Sequence, residues 1–170
     1  NNPAEEPCAF YTAKEQDSTI LFGGNLGRTY IYSLTEKKMT SRQLKTPASV
    51  ISIQTGIGKT LYITDKDGFF MCDETNQSPV HFTLKTLTLR KDKTIEAAVI
   101  TRNNRLWLTH PDPGVTWFDL NNQEFREFIC KDEIGRPVNT ETGFFTIEDR
   151  NNILWVHPKG GGFSYYNPLH

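Results

Sequence analysis

Four copies of one short pattern run the length of this chain: TILFGGNLGRTYIYS (19–33), KTLYITDKDGFFMCD (59–73), RLWLTHPDPGVTWFD (105–119) and NILWVHPKGGGFSYYN (152–167). Each has an aliphatic–aromatic–aliphatic run, a short loop rich in Gly, Asn, Asp and Pro, and a second run carrying aromatics. Phe22, Tyr62, Trp107 and Trp155 are the aromatic anchors, at spacings of 40, 45 and 48 residues. Apolar positions alternate or come in short bursts, the pattern of strands rather than helices. A repeat of this length with several short strands constrains the chain to a series of small sheets, each needing its neighbours to bury an apolar face.

A further candidate strand precedes each anchor strand, at 8–13, 49–55, 96–101 and 143–149. Turn residues such as Gly56-Ile57-Gly58-Lys59 and Arg102-Asn103-Asn104 join the two. A fourth strand follows at 40–45, 81–89 and 124–130. The expected fold is therefore all-β: about four β-propeller blades, each a four-stranded antiparallel sheet. The whole of 1–170 reads as a single segment, with blades at 8–45, 49–89, 96–130 and 143–170, the last lacking its fourth strand. Four blades rarely close a ring, so a partial propeller is expected. A small four-bladed ring and two fragments pairing to complete one propeller are the alternatives. Open outer edges invite self-association. The four anchors are expected to pack between blades as structural residues. Gly27, Gly68, Gly114 and Gly162, which follow them by 5, 6, 7 and 7 residues, fit the tight turn into the third strand.

Composition narrows the function classes. With 36% hydrophobic residues in 170, the chain can bury one real core. A mean hydropathy of -0.52 with no long apolar run excludes a membrane-spanning helix in this segment. The formal charge of -1, with no Lys/Arg block, leaves no electrostatic footprint for nucleic acid. Cys8, Cys72 and Cys130 are an odd set, read as small buried hydrophobes rather than a disulfide framework. No signal peptide opens the chain, and Asn1-Asn2-Pro3 reads as a trimmed or mature end.

No catalytic motif survives inspection. Gly58-Lys59-Thr60 has the tail of a phosphate-binding loop, but Ile53 stands where the first Gly is required. No Gly-x-Ser-x-Gly elbow occurs. Asp112-Pro113-Gly114-Val115-Thr116-Trp117 has the look of a sialidase Asp-box, but His110 replaces its Ser and no other copy repeats it. His110 and His157 fall at matching places in their copies; a metal would need at least a third ligand, so none is expected, nor any cofactor. A ligand face is expected where second-to-third-strand loops meet blade-to-blade connections. Asn25, Arg28, Asp65, Asp67, His110, Asp112, His157 and Lys159 supply polar groups there. Trp117 or Tyr165 is expected to supply an apolar platform for a sugar ring.

The last copy, DRNNILWVHPKGGGFSYYNP (149–168), resembles the two-component-regulator propeller repeat at Asp149, Leu154, Trp155, Val156, Gly161, Gly162, Tyr166 and Pro168. The copy at 102–119 is a looser match. Phe22 and Tyr62 stand where the family has Trp, and His157-Pro158 and Thr109-His110 replace its Gly-Thr. Such repeats build the extracytoplasmic sensor of hybrid two-component systems, best known from Bacteroidetes. The resemblance implies a periplasmic piece of an inner-membrane sensor histidine kinase and response regulator. It also implies an oligosaccharide ligand, control of polysaccharide-utilisation genes, and the parent's remaining propeller and other domains as partners. The chain itself would be no enzyme, because the phosphorelay residues lie elsewhere in such parents. Two other readings stand beside this one: a non-catalytic protein-interaction scaffold, and a propeller glycosidase or lyase with no acid–base pair yet identified.

Overall fold

The computed structural model describes residues 8–73, 78–86, 94–111, 115–128, 134–136, 142–158 and 163–167. Its strands form four separate antiparallel sheets in chain order. The first blade comprises β1 (Phe10–Gln16), β2 (Thr19–Gly24), β3 (Arg28–Ser33) and β4 (Lys38–Gln43). The second comprises β5 (Val50–Gly56), β6 (Lys59–Thr64), β7 (Phe69–Asp73) and β8 (Val80–Phe82). The third comprises β9 (Ala97–Ile100), β10 (Arg105–Thr109), β11 (Val115–Asp119) and β12 (Glu124–Phe128). In the fourth, β13 (Thr142–Glu148), β14 (Leu154–Pro158) and β15 (Ser164–Tyr166) form a three-stranded sheet.

Tight turns join the strands where the sequence carries residues tolerant of positive φ. Asp17, Asn104 and Asn152 adopt it at the first turn of their blades, as does Ile57 beside Gly58. The expected fourth strand at 81–89 is shorter than its alternation suggested. The ladder ends at Phe82, and a 3-10 turn at Leu84–Thr86 follows; 87–89 lie outside the described residues. Leu84 is buried, so apolar burial draws the chain off the sheet edge and into the core. Leu44 does the same after β4, ending that strand at Gln43.

Blades pack face to face in series. Leu21 and Ile31 of the first meet Val50, Ile53, Tyr62, Phe70 and Cys72 of the second. The opposite face of the second blade, Leu61, Ile63, Phe69 and Met71, meets Leu106, Leu108 and Phe118 of the third. Phe69 lies 5.0 Å from Phe118 and 5.2 Å from Phe82, centroid to centroid. Trp107, Val115 and Trp117 on the far side of the third blade meet Leu154, Val156 and Tyr166 of the fourth. Each fully buried large side chain contributes roughly 1.5–3 kcal/mol.

The register corrects the alignment of the repeats. Thr19 pairs with Ser33, Lys59 with Asp73 and Arg105 with Asp119, each closing a hairpin fourteen residues apart. Superposing those hairpins makes Leu21, Leu61, Trp107 and Trp155 equivalent, all on the face toward the following blade. Phe22 and Tyr62 sit one residue later, so they point toward the preceding blade, with Leu108 and Val156. A one-residue offset in a strand exchanges faces. The four expected anchors are thus two pairs on opposite faces. Tyr62 and Trp107 are buried between blades, whereas Phe22 is half-buried and Trp155 is 36% exposed.

Tyr62 lies in a cluster with a measurable signature. Burial, with the nearby Cys72, pushes its phenol from 10.0 up to about 12 against the opposing charge of Arg42. The folded chain therefore holds this proton more tightly than the unfolded chain. The resulting stability is complete below pH 10 and is lost as the pH rises from 10 toward about 12. Chemical unfolding at stepped alkaline pH should show this decline, and Tyr62→Phe should flatten it. An equally steep decline in the variant would refute the assignment.

Asp149 organises the last blade. Its Oδ1 accepts from Asn151 N at 2.8 Å and Ile153 N at 3.0 Å, and its Oδ2 from Trp155 Nε1 at 2.9 Å. The Trp155 bond, then the backbone donors, hold its carboxyl below the usual carboxylate range. The Asp and Trp of the repeat motif are therefore a turn cap and its tie to the second strand.

Candidate functional site: the loop-bearing end of the blades

The loops between second and third strands share one end of the array with the blade-to-blade connections. In the first blade Gly27 N donates to Ala48 O at 2.7 Å, and Leu44 N donates to Gly27 O at 2.9 Å. Gly27, at φ +67°, approaches the Leu44 and Thr46 carbonyls too closely for a Cβ.

Three of the expected ligand residues are occupied by this stitching. Asn25 N donates to Ala9 O at 3.1 Å while its Oδ1 accepts from Ala9 N at 3.3 Å. Asp65 N donates to Ser49 O at 2.9 Å while its Oδ1 accepts from Ser49 N at 2.9 Å. His110 Nδ1–H donates to Thr94 O at 2.8 Å, leaving Nε2 to pair with the Thr116 hydroxyl at 3.0 Å. In every case the partner stands sixteen residues earlier, just before the first strand of the same blade. Asn, Asp and His thus do one job, tying the loop to the start of its own sheet. His110 is fully buried, so it is no rim residue.

Trp117 is likewise corrected. It is buried between the third and fourth blades, with the Arg105 guanidinium 4.3 Å and that of Arg126 5.5 Å from its ring centroid, where no sugar ring reaches it. His157 lies within β14, edge-on to Phe163 at 5.5 Å, on the face turned away from the third blade. Counting from Trp107 and Trp155, His157 matches Thr109 rather than His110, so the two histidines hold different positions. Asp112 and Lys159 lie outside the described residues. Among the described residues no group of three His, Cys, Asp or Glu side chains converges as a metal site.

Arg28 and Asp67 also lie at this end of the blades. Arg28 lines a cavity of about 180 Å³ with Thr29, Tyr30, Ser41, Arg42 and Gln43, a lining without a carboxylate. Arg42 Nη1 also donates to Cys72 Sγ at 3.2 Å. Asp67 meets His81, a residue outside the expected set. The imidazole lies flat on Phe70, 4.3 Å between centroids and 6° between planes. Its Nε2 is 2.6 Å from Asp67 O and 3.7 Å from Asp67 Oδ2. Nothing in the spacing of the repeats marks His81, because it comes from the fourth strand, where the copies diverge. Such groups supply planar hydrogen-bonding edges beside aromatic surface.

Two solved structures overlay nearly the whole chain. One is the extracellular domain of a putative hybrid two component system from B. thetaiotaomicron, with TM-score 0.68 and 20% identity over 92% of this chain and 20% of that one. The other is the computationally designed Ika4 protein, with TM-score 0.67 and 10% identity over 96% of this chain and 93% of that one. The chain is an array of propeller blades. A third overlay, PorZ of the type-IX secretion system of Porphyromonas gingivalis, has TM-score 0.62 and 15% identity over 86% of this chain and 22% of that one. The chain thus spans about a fifth of the length of each of these two solved natural chains. At such identities the likeness speaks to fold alone. No protein-family model matches the sequence, and no curated protein matches it. Among the described residues no helix is long and apolar enough to cross a membrane.

Proposed function

We propose that this chain is a non-catalytic, ligand-sensing propeller segment from the extracytoplasmic, periplasmic part of a hybrid two-component sensor kinase and response regulator. It responds to an oligosaccharide and regulates polysaccharide-utilisation genes. The observation that carries this reading is the overlay on a two-component extracellular domain across 92% of the chain. The repeat motif at Asp149–Trp155 supports it from the sequence side. The cavity at Arg28 supports it chemically, since guanidinium, hydroxyl and amide groups beside Tyr30 suit hydroxyl-rich or carboxylate-bearing sugars. Ligand binding would pass to the adjoining domain as a rigid shift of contacts.

A thermal-shift screen of neutral and uronic-acid oligosaccharides tests it. A ligand at a hundredfold its Kd stabilises by about 2.7 kcal/mol, a rise of roughly 5–10 °C for a chain of this size. Arg28→Ala should abolish that shift while the chain still unfolds cooperatively. No shift with any oligosaccharide would remove the sugar reading and favour the interaction scaffold. Turnover of a chromogenic glycoside would replace it with a hydrolase.

A further inference from the structure

The three junctions between blades close differently at the end opposite the second-to-third-strand loops. At the second–third junction, Ile100, Leu106 and Phe118 stand in cross-strand register on the third blade and pack against the second. Ile100 fills the space over Gly56, where an added Cβ would lie 2.5 Å from its Cδ1. At the third–fourth junction, Glu148, Leu154 and Tyr166 hold the matching row. Arg102 Nη1 crosses that junction, donating to Arg150 O at 3.2 Å and to Asn152 Oδ1 at 3.1 Å. On the second blade the matching row is Thr55, Thr60 and Cys72, small side chains where the third blade has large apolar ones. Facing it on the first blade, Thr19 pairs with Ser33, where the next two blades have the Lys59–Asp73 and Arg105–Asp119 ion pairs at 3.5 and 3.8 Å.

Side chains this small on both sides leave the first–second junction unfilled. A cavity of about 380 Å³ opens there, lined by Gln16, Asp17, Ser18, Thr19, Leu21 and Ile31. Gln16 Oε1 accepts from Thr60 Oγ1 at 3.3 Å, which ties the two blades beside it. The lining residues combine an amide, a carboxylate and two hydroxyls with the apolar Leu21 and Ile31, and include no cation and no aromatic ring.

We propose that this cavity binds a neutral polyhydroxyl ligand about the size of one sugar ring. Its volume lies in the range of small-molecule sites, roughly 300–1,000 Å³. The amide of Gln16 and the carboxylate of Asp17 suit adjacent hydroxyls, and Leu21 and Ile31 suit the C–H face of a ring. An anion would meet Asp17 with no cation in the lining to offset it. An organic cation would find no aromatic cage. The site is additional to the cavity at Arg28, which lies toward the other end of the first blade, and it does not rest on the sensor reading.

A heteronuclear NMR titration tests it, with glucose, galactose, mannose and xylose as neutral probes and glucuronate as the anionic one. At least one neutral sugar should move the backbone amides of residues 16–21 and of Thr60, and glucuronate should move none of them. Thr60→Leu puts the third blade's larger residue beside the cavity and removes the tie to Gln16. It should raise the Kd at least about tenfold while the chain still unfolds cooperatively. Ser18→Ala alters an exposed residue and should raise the Kd about fivefold. Arg28→Ala should leave these shifts intact. Unmoved amides with all of the neutral sugars would overturn the proposal, as would equal shifts from glucuronate or unaltered binding in both cavity variants. Shifts confined to the residues around Arg28 would overturn it too, and would leave the sensor reading standing.

Discussion

Trp107→Ala should destabilise the chain by about 3–5 kcal/mol, the usual cost of emptying a large aromatic site in a core. The indole is 2% exposed, with Trp117 6.0 Å and Tyr166 5.0 Å away, and it shares a core cluster with Leu154 and Val156. At 2–4 °C per kcal/mol for a chain of this length, the melting temperature should fall by roughly 6–20 °C. The loss should be uneven. The fourth blade packs within this chain on one face only, and that face is the one Trp107 supports. Amide exchange should therefore accelerate first in β13–β15, ahead of the second blade, whose two faces stay covered. Trp155→Ala is the matched control. That indole is partly exposed and lies on the outward face, so its removal should cost clearly less. Equal costs for the two substitutions would refute the assignment of Trp107 to a junction and Trp155 to an end face.

Gly68→Ala should cost about 2–4 kcal/mol, from backbone strain and steric conflict together. Gly68 has φ +91°, and a Cβ there would run into the Phe82 carbonyl oxygen, with Thr83 Cα at 3.2 Å. The Gly68 carbonyl also accepts from Thr64 N at 3.1 Å and Thr64 Oγ1 at 2.6 Å, so the turn has little freedom to give way. Because the clash falls on the carbonyl that ends β8, relief would detach the short fourth strand and uncover Leu84. Gly135→Ala separates the two costs. Gly135 has φ +80°, yet nothing lies within 4 Å of its added Cβ, so strain alone should appear, about 1 kcal/mol. Equilibrium unfolding of both variants provides the comparison. A Gly68→Ala cost no larger than that of Gly135→Ala would show that the Phe82 contact relaxes freely.

The repeat and its strands were legible because local chemistry dictates them: alternating apolar residues, turn residues at fixed intervals, and no uninterrupted helical stripe. The aromatic anchors fall one residue out of step in two copies, because an aromatic at the centre of a strand looks alike whichever side it points to. The glycines held the better signal. Measured from Leu21, Leu61, Trp107 and Trp155, the intervals to Gly27, Gly68, Gly114 and Gly162 are 6, 7, 7 and 7, more even than those from Phe22 and Tyr62. The polar loop residues misled for a related reason. Asn25, Asp65 and His110 share no chemistry that marks them as one structural tie. Their common partner, the backbone sixteen residues earlier, becomes visible only when the chain has folded back on it.

By itself, then, the sequence determined the order of the strands, the number of sheets and the end where the loops gather. All of these follow from interactions within about twenty residues. Tertiary structure alone decided which side of each sheet meets which neighbour. It sealed Trp117 and His110 inside and brought His81 against Asp67 and Phe70. It also left Phe10 and Tyr165 uncovered at the two ends. Those outcomes depend on which folded segments come to lie against one another, and a local pattern contains no record of what will lie opposite it.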